Sequence, residues 1–378
     1  MASLFIDEIQ YQARILNGSD EVTAIYTDFT ALYYKKAVNQ IGMAILTVPE
    51  DHPIIATLTD DLLLEIYISY RNAVDIVSHY SITWSKDFMC LYRDYQIATD
   101  EDGNRYYLLY FPGIMDILSR NVIAYGAGVN DKTQWTLQHL DIIADDMVRW
   151  NCTPDATTIN GRLRDASIIR SLEAGGFFAA SPIVDFTASN KNVLEALQEI
   201  ANIGGFDFDI ERDNSVPGNM LFTEYQNQLG TDRSTTVIFD PALDNVAKAN
   251  LSGDRLREKT VAIVGGVGTG TGRDYSIRTG ANQSASNDYE IFIDARTSTT
   301  AELPTIGDAR LSELQAKRQL DFEIAPSLGL IYKRDYGLGD LVTGSFGDYS
   351  ATKKIHTVEV RFDQDQLAAV RIELEDVL

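Results

Sequence analysis

The chain has 378 residues, 45% of them hydrophobic, and 55 Asp+Glu against 32 Lys+Arg leave a formal net charge of −23. That length sustains two or three domains with cores of their own, and the even spread of apolar residues excludes a disordered chain. The charge excludes electrostatic gripping of DNA, which needs Lys and Arg to displace counterions from phosphate; an acidic wall would instead let a polyanion slide past.

Residues 1–12 carry no basic stretch followed by a long apolar core, so they do not read as an export signal. The apolar run at 61–68 is broken by Asp61 and Glu65, well short of the ~20 residues of a membrane span, and no membrane insertion is expected. The two cysteines, Cys90 and Cys152, make neither a disulfide framework nor a multi-cysteine zinc site, and read as small core residues.

From about Glu21 to Phe111, β-branched and aromatic residues alternate with polar ones, as in Val22, Ala24 and Tyr26. The clearest local pattern is a hairpin, with strands on either side of a turn at Asp102-Gly103, where glycine tolerates the positive φ such turns demand. Between Gly113 and about Arg233 the period lengthens towards 3.6. One helix is predicted from Leu137, Leu140, Ile143, Ala144, Met147 and Val148, ending near Trp150 before Pro154. A second starts at Asn192 with Glu195 three positions on, carries Val193, Leu194, Leu197, Ile200 and Ala201, and stops at Gly204-Gly205. A strand from Phe206, a turn at Val216-Pro217-Gly218-Asn219 and a strand from Met220 follow.

After Ser234 strands are expected at 235–239, 260–264, 274–278, 288–294, 320–324, 340–343, 354–361 and 367–374, the last two forming a terminal hairpin about residues 363–366. One helix interrupts them, capped by Asp308, with Leu311 and Leu314 on its apolar face. The fold class is therefore α+β, mainly β, in three sections: a β section at 1–111, a mixed α/β section at 112–233, and a β section with one helix at 234–378. No repeat is visible in the sequence, although the two β sections could be diverged copies of one fold.

Motifs for chemistry are scarce. The histidines, His52, His79, His139 and His356, are scattered at no metal-ligand spacing. The glycine-rich stretch from Val264 to Arg273 follows a strand but lacks the lysine of a P-loop and the third glycine of a dinucleotide loop, and a strand pattern follows it, so it reads as a loop between strands. No Gly-x-Ser-x-Gly elbow occurs and nothing selects a carboxylate pair from the 55 acids. No enzyme, no catalytic or metal-binding residue and no cofactor is expected. The 19 tyrosines and 15 phenylalanines, with doublets at Tyr33-Tyr34, Tyr106-Tyr107 and Phe177-Phe178, suit a sheet protein and an assembly surface alike.

Segments of the middle and last sections resemble siphophage tail hub proteins, the baseplate hub or tail-associated family. The segment from Tyr110 to Ile123 is similar in its Gly113, Asp116 and Arg120; further on come the strand and loop with Gly265 and Gly266, the strand ending at Arg296, and the segment Tyr336 to Val342 with Gly337, Gly339 and Asp340. In the last of these the glycines allow a turn and Asp340 can accept backbone hydrogen bonds. The resemblance covers roughly 105–378; after Gly113 this chain has Ile114-Met115-Asp116 where many relatives carry an aliphatic residue and an Arg-Asp pair. It implies two tail-tube-like β-barrels with an intervening α/β section, assembled as a homotrimer whose six similar modules match a sixfold tube. It further implies a place in the virion at the tail tip after assembly in the host cytoplasm. The implied partners are tail tube and distal tail proteins, the tape measure protein, and receptor-binding or tail-fibre proteins, with DNA passing through unbound. A tube or distal-tail ring component and a cell-wall glycan hydrolase of the tail tip are the alternatives; length argues against the first, and the second would need a cleft with two convergent carboxylates.

Overall fold

Alternation of buried and exposed side chains organises most of the chain. The computed structural model describes residues 8–71, 84–126, 132–168, 170–296, 298–324, 330–363 and 366–376. The first section contributes β1 (Glu8–Leu16), β2 (Val22–Tyr26), β3 (Ala31–Ala37), β4 (Met43–Pro49), β5 (Leu63–Arg71), β6 (Trp84–Leu91), β7 (Asp94–Thr99) and β8 (Arg105–Pro112). The middle section holds α1 (Asp116–Ser119), β9 (Gln134–His139), α2 (Leu140–Cys152), β10 (Ser171–Ala174), β11 (Ile183–Thr187), α3 (Val193–Gly204), β12 (Phe206–Arg212) and β13 (Asn219–Gln226). The last has β14 (Ile238–Phe239), β15 (Val246–Asp254), β16 (Val261–Gly265), β17 (Tyr275–Thr279), β18 (Glu290–Asp294), α4 (Leu303–Glu313), β19 (Lys317–Ile324), β20 (Leu341–Phe346), β21 (Tyr349–Asp363) and β22 (Gln366–Glu375).

The fold is mainly β. Its spine is a ten-stranded sheet whose main path runs β15-β19-β22-β21-β3-β4-β8-β7, with β20 and β14 branching from β21. Every neighbour along that path is antiparallel. Four strands come from the last section and four from the first, joined where β21 pairs β3 with Asp363 opposite Ala31 and Thr357 opposite Ala37. Numbered by sequence within its own half, each half has the same order: first, second, fourth, third. The chain therefore contains a structural repeat that its sequence does not display.

Alternation gives this sheet two unlike faces. Leu32, Tyr34, Ala44, Leu46, Val48, Leu109, Phe111, Val358, Val360, Ile372, Leu374, Leu320 and Phe322 point into one core shared by both halves. A four-stranded sheet, β2-β1-β5-β6, closes over the first half of that core, with the Tyr11 ring 6.5 Å from Tyr34 and Tyr34 stacked on Phe88 at 5.9 Å. Burying each large apolar side chain contributes about 1.5–3 kcal/mol, so the shared core welds the two halves together. The resemblance led us to expect two barrels; among the described residues no sheet closes on itself, because the two sections pair edge to edge through β21 and β3.

The middle section builds a second core, in which α2 and α3 pack over β12 and β13 and to which Leu16, Leu63, Met89 and Leu91 of the first section contribute. Asn192 caps α3 by accepting from the N–H groups of Leu194 and Glu195, and Gly205 ends it at φ 64°. The first predicted helix begins later than its periodicity suggests. Leu137 lies in β9 at φ 49° and is 74% exposed rather than on the buried face, because β9 pairs with β11 and α2 starts only after His139. The last helix starts at Leu303, so Asp308 is not its cap; it sits within α4 and holds Arg278 in a two-pronged ion pair at 2.7 Å. Strand β15, nine residues long, has no counterpart in the sequence reading, since at its edge position most of its residues are exposed and only Val246 is buried. Residues 364–365, in the terminal hairpin's turn, lie outside the described residues.

Candidate assembly site

Strands β15 and β7 end the ten-stranded sheet, and among the described residues neither has a strand on its outer side. Unpaired edges present free backbone donors and acceptors in a row, which is a template for another chain. On the edge β7, Tyr95 is 54% exposed, its ring 5.8 Å from that of Tyr107. In the last half the sheet face away from the core is charge-matched: Lys248 meets Glu323 at 2.8 Å, Arg361 meets Glu359 at 2.6 Å and Arg371 lies 3.6 Å from Asp321, while Lys35 of β3 meets Glu373 at 3.2 Å across the seam; in the first half the same face carries Met43, Ile45, Leu108 and Tyr110.

A buried charge cluster stands where the sections meet. The Asp87 carboxylate of β6 is fully buried; Tyr34 Oη donates to it at 2.5 Å and Tyr332 Oη at 2.8 Å. Lys36 Nζ pairs with the same carboxylate and donates to the Asp87 carbonyl at 2.9 Å, while Lys333 Nζ lies 3.5 Å away. Burial alone would raise the Asp87 carboxyl, but Lys36 and Lys333 outweigh it and hold it at about 2; burial pushes Lys36 down to about 8 against the pull of Asp87. Lys36, Asp87 and Lys333 line a cavity of about 400 Å³ together with Phe208, Asp209 and Arg233, so all three sections reach it. Burial pushes Asp209 up to about 6. The sequence reading missed this cluster. Its available sign was Lys36, a charge at the inward position of the alternating run Leu32, Tyr34, Lys36.

The motif positions hold three separate junctions. At the first, Gly113 forms a bridge to Cys90, and a Cβ there would lie 1.8 Å from the Ile41 carbonyl oxygen. Asp116 accepts from Arg120 Nε at 2.7 Å, and Arg120 also forks onto both Asp61 oxygens at 3.0 and 2.7 Å, tying α1 to the first section. Bidentate geometry makes this a strong charge-assisted pair.

The second junction lies in an arm formed by β16, β17, β18 and α4 beyond the β15–β19 hairpin, with a small core of Ala262, Val264, Ala295, Leu303 and Leu311. A Cβ at Gly265 would meet the Arg273 guanidinium at 2.7 Å, and one at Gly266 would meet Leu303 at 2.9 Å. Arg296 is exposed and donates to Asp294 at 3.1 Å. The glycine-rich loop connects antiparallel β16 and β17.

At the third junction the carboxylate of Asp340 gathers four donors: Gly337 N at 2.7 Å, Thr231 N at 2.7 Å, Thr231 Oγ1 at 3.3 Å and Arg233 Nε at 3.0 Å. Gly339 turns the chain at φ 82°, and a Cβ there would come within 2.7 Å of Gly230 N. This ties the segment after β13 to the start of β20.

Cys90 and Cys152 are both buried free thiols. His52 Nε2 lies 3.2 Å from Asp28, His139 Nδ1 lies 2.6 Å from the Ser181 carbonyl, and His356 is 3.7 Å from Glu375; His79 lies outside the described residues. Among the described residues no group of His, Cys, Asp and Glu is placed to hold a metal ion, and no helix is long and apolar enough to cross a membrane.

The fold recurs in solved structures. The chain is similar to the 43 kDa tail protein of prophage MuSo2 from Shewanella oneidensis, at 13% identity and TM-score 0.59 over 97% of each chain. It is also similar to the tail protein from Neisseria meningitidis MC58, at 11% identity and TM-score 0.60 over 97% of this chain and 96% of that one. A third is prophage tail protein gp18 from Listeria monocytogenes EGD-e, at 12% identity and TM-score 0.55 over 97% and 94%. At such identities the likeness is one of fold. No curated protein matches the sequence. The family model of the Siphovirus ReqiPepy6 Gp37-like protein matches residues 12–374, and the chain belongs to that family.

Proposed function

We propose that the chain is a structural protein of a bacteriophage tail and, within it, the trimeric hub at the distal end of the tail tube. The observation that carries this reading is the repeat in the ten-stranded sheet, two four-stranded units of identical strand order set side by side. Within one chain, the third strand of one unit (β21) pairs with the first strand of the next (β3). Applying the same rule between chains pairs β7 of one copy with β15 of the next. That contact is heterologous, and three copies close a ring of six similar units, the number needed to meet a sixfold tube. The barrels implied by the resemblance then belong to the assembly. The sections 1–111 and 234–378 each supply one unit per copy, and 112–233 packs beside them.

The sheet face away from the core would line the channel. Among the described residues it offers DNA no unpaired row of lysine or arginine, so a polyanion would pass without being held. A tube or distal-tail ring subunit needs one unit where this chain has two. Assembly requires no cofactor and no catalytic residue. In the virion the hub would sit at the tail tip, after assembly in the host cytoplasm. Its neighbours would be tail tube and distal tail proteins, the tape measure protein, and receptor-binding or tail-fibre proteins.

The test is the mass of the purified protein in solution, with negative-stain images of the same sample. A compact threefold particle of three 42.1 kDa chains with a central hole is expected. A monomer at all concentrations, alone and with purified tube protein, would overturn the reading. Cysteines at Gln96 and at Lys248 or Asn250 then test the seam, and oxidation should link neighbouring copies into a covalent trimer.

A further inference from the structure

We infer that the open face of the arm's sheet docks onto a neighbouring copy of this chain; the inference rests on the trimeric reading above. Among the described residues the sheet β17-β16-β18 has α4 against one side and no element against the other. On the other side Ile263 is opposite Ile277 on β17 and opposite Phe292 on β18, and Gly265 is opposite Tyr275. The result is an apolar row across three strands, with Ile277 66%, Phe292 53% and Tyr275 53% exposed.

Arg273 lies across the gap left by Gly265. It donates to the carbonyl of Gly265 at 2.7 Å and of Gly266 at 3.0 Å, pairs with Asp294, and sits 5.3 Å from the Phe292 ring and 6.0 Å from Tyr275. Aromatic residues around a held arginine have the composition of interface anchors. The patch offers on the order of 300–400 Å² of apolar surface, enough for the centre of an interface that buries about 800 Å² per side. Covering it takes the surface of a folded protein.

Charge selects which protein. Between Arg255 and Gln315 seven Lys and Arg stand against eight Asp and Glu, although the whole chain carries −23. Nearly all the net charge therefore lies outside the arm. The β7–β15 seam joins bodies of like charge through backbone hydrogen bonds, and the near-neutral arm of one copy can approach the acidic body of the next without adding to that repulsion. A basic foreign protein would be drawn to the body instead. Threefold contacts are heterologous, so the arm need not match itself.

The test is the double variant Ile277→Asp, Phe292→Asp, compared with the wild type by native mass spectrometry, with circular dichroism as a check of the fold. The wild type is expected to be trimeric and the variant to need at least tenfold more protein to form the same trimer. A variant trimer of unchanged affinity overturns the inference and leaves the trimeric reading standing; a monomeric wild type overturns both. If the variant does not fold, a photo-crosslinking residue at Phe292 decides. A crosslink into a second copy supports the docking, and trimers without one refute it.

Discussion

Replacing Glu224 by glutamine should make this protein more stable at pH 8 and leave it almost unchanged at pH 4.5. Glu224 lies on β13 with both carboxylate oxygens buried and neither hydrogen-bonded. Burial first, then the nearby Asp141 and Asp145, push its carboxyl up to about 9. Asp141 itself is satisfied, accepting from Ser181 Oγ and from Ala179 N at 2.5 Å. The folded state thus holds a proton that the unfolded chain releases above its ordinary 4.5, and stability falls as pH rises from about 4.5 to about 9. At about 1.4 kcal/mol per pH interval the full cost at pH 8 is roughly 5 kcal/mol, which partial burial and local relaxation reduce to about 2–4 kcal/mol. Glutamine keeps the shape and removes the titration. Urea unfolding at pH 4.5, 6.5 and 8 checks this, with the variant's advantage expected to grow along that series. An advantage that is independent of pH, or absent at pH 8, refutes the reasoning.

Asp87→Asn leaves Lys36 buried without its counter-charge and should cost about 3–5 kcal/mol in urea unfolding at pH 7. Because Asp87 is held at about 2, its contribution is present above pH 4 and is lost as pH falls through about 2; the gap between wild type and variant should close in that window. Gly113→Ala places a methyl 1.8 Å from the Ile41 carbonyl oxygen, and a loss of more than about 3 kcal/mol or failure to fold is expected, read from the melting temperature and soluble yield. Asp340→Ala strips four donors of their acceptor and should cost about 2–4 kcal/mol, with faster amide hydrogen exchange at Thr231 and Gly337.

Much of the fold was legible wherever burial on one face imposed a period. The hairpin of β7 and β8, the helix capped by Asn192 and the strands after it all carry their own turn or cap chemistry, so local sequence sufficed. Helix α4 was displaced because its buried positions, Leu303, Gly307 and Leu311, include a glycine that apolar periodicity does not count; Gly307 is there to admit Arg278, whose Cγ would lie 2.5 Å from an added Cβ. Asp87 escaped notice for a different reason. Nothing near it in sequence explains a buried acid, since its partners Tyr34, Lys36 and Tyr332 arrive from strands and loops far along the chain.

Strand β15 is the most instructive failure, because the polarity that hid it is what its position demands. As an edge strand it has only Val246 buried, with Ala249 and Leu251 half-buried on the inward side, so its alternation is confined to the five residues from Lys248 to Ser252. Strand β3, its counterpart in the other half, has partners on both sides and reads as a clear strand. The two occupy equivalent places in the repeat and differ in whether a neighbour is present within one chain. If β7 of a second copy supplies that neighbour, the backbone amides of β15 should exchange slowly in the trimer and fast in a dissociated monomer, while those of β3 stay protected in both. Equal exchange of β15 in the two states would separate the repeat from any role in assembly.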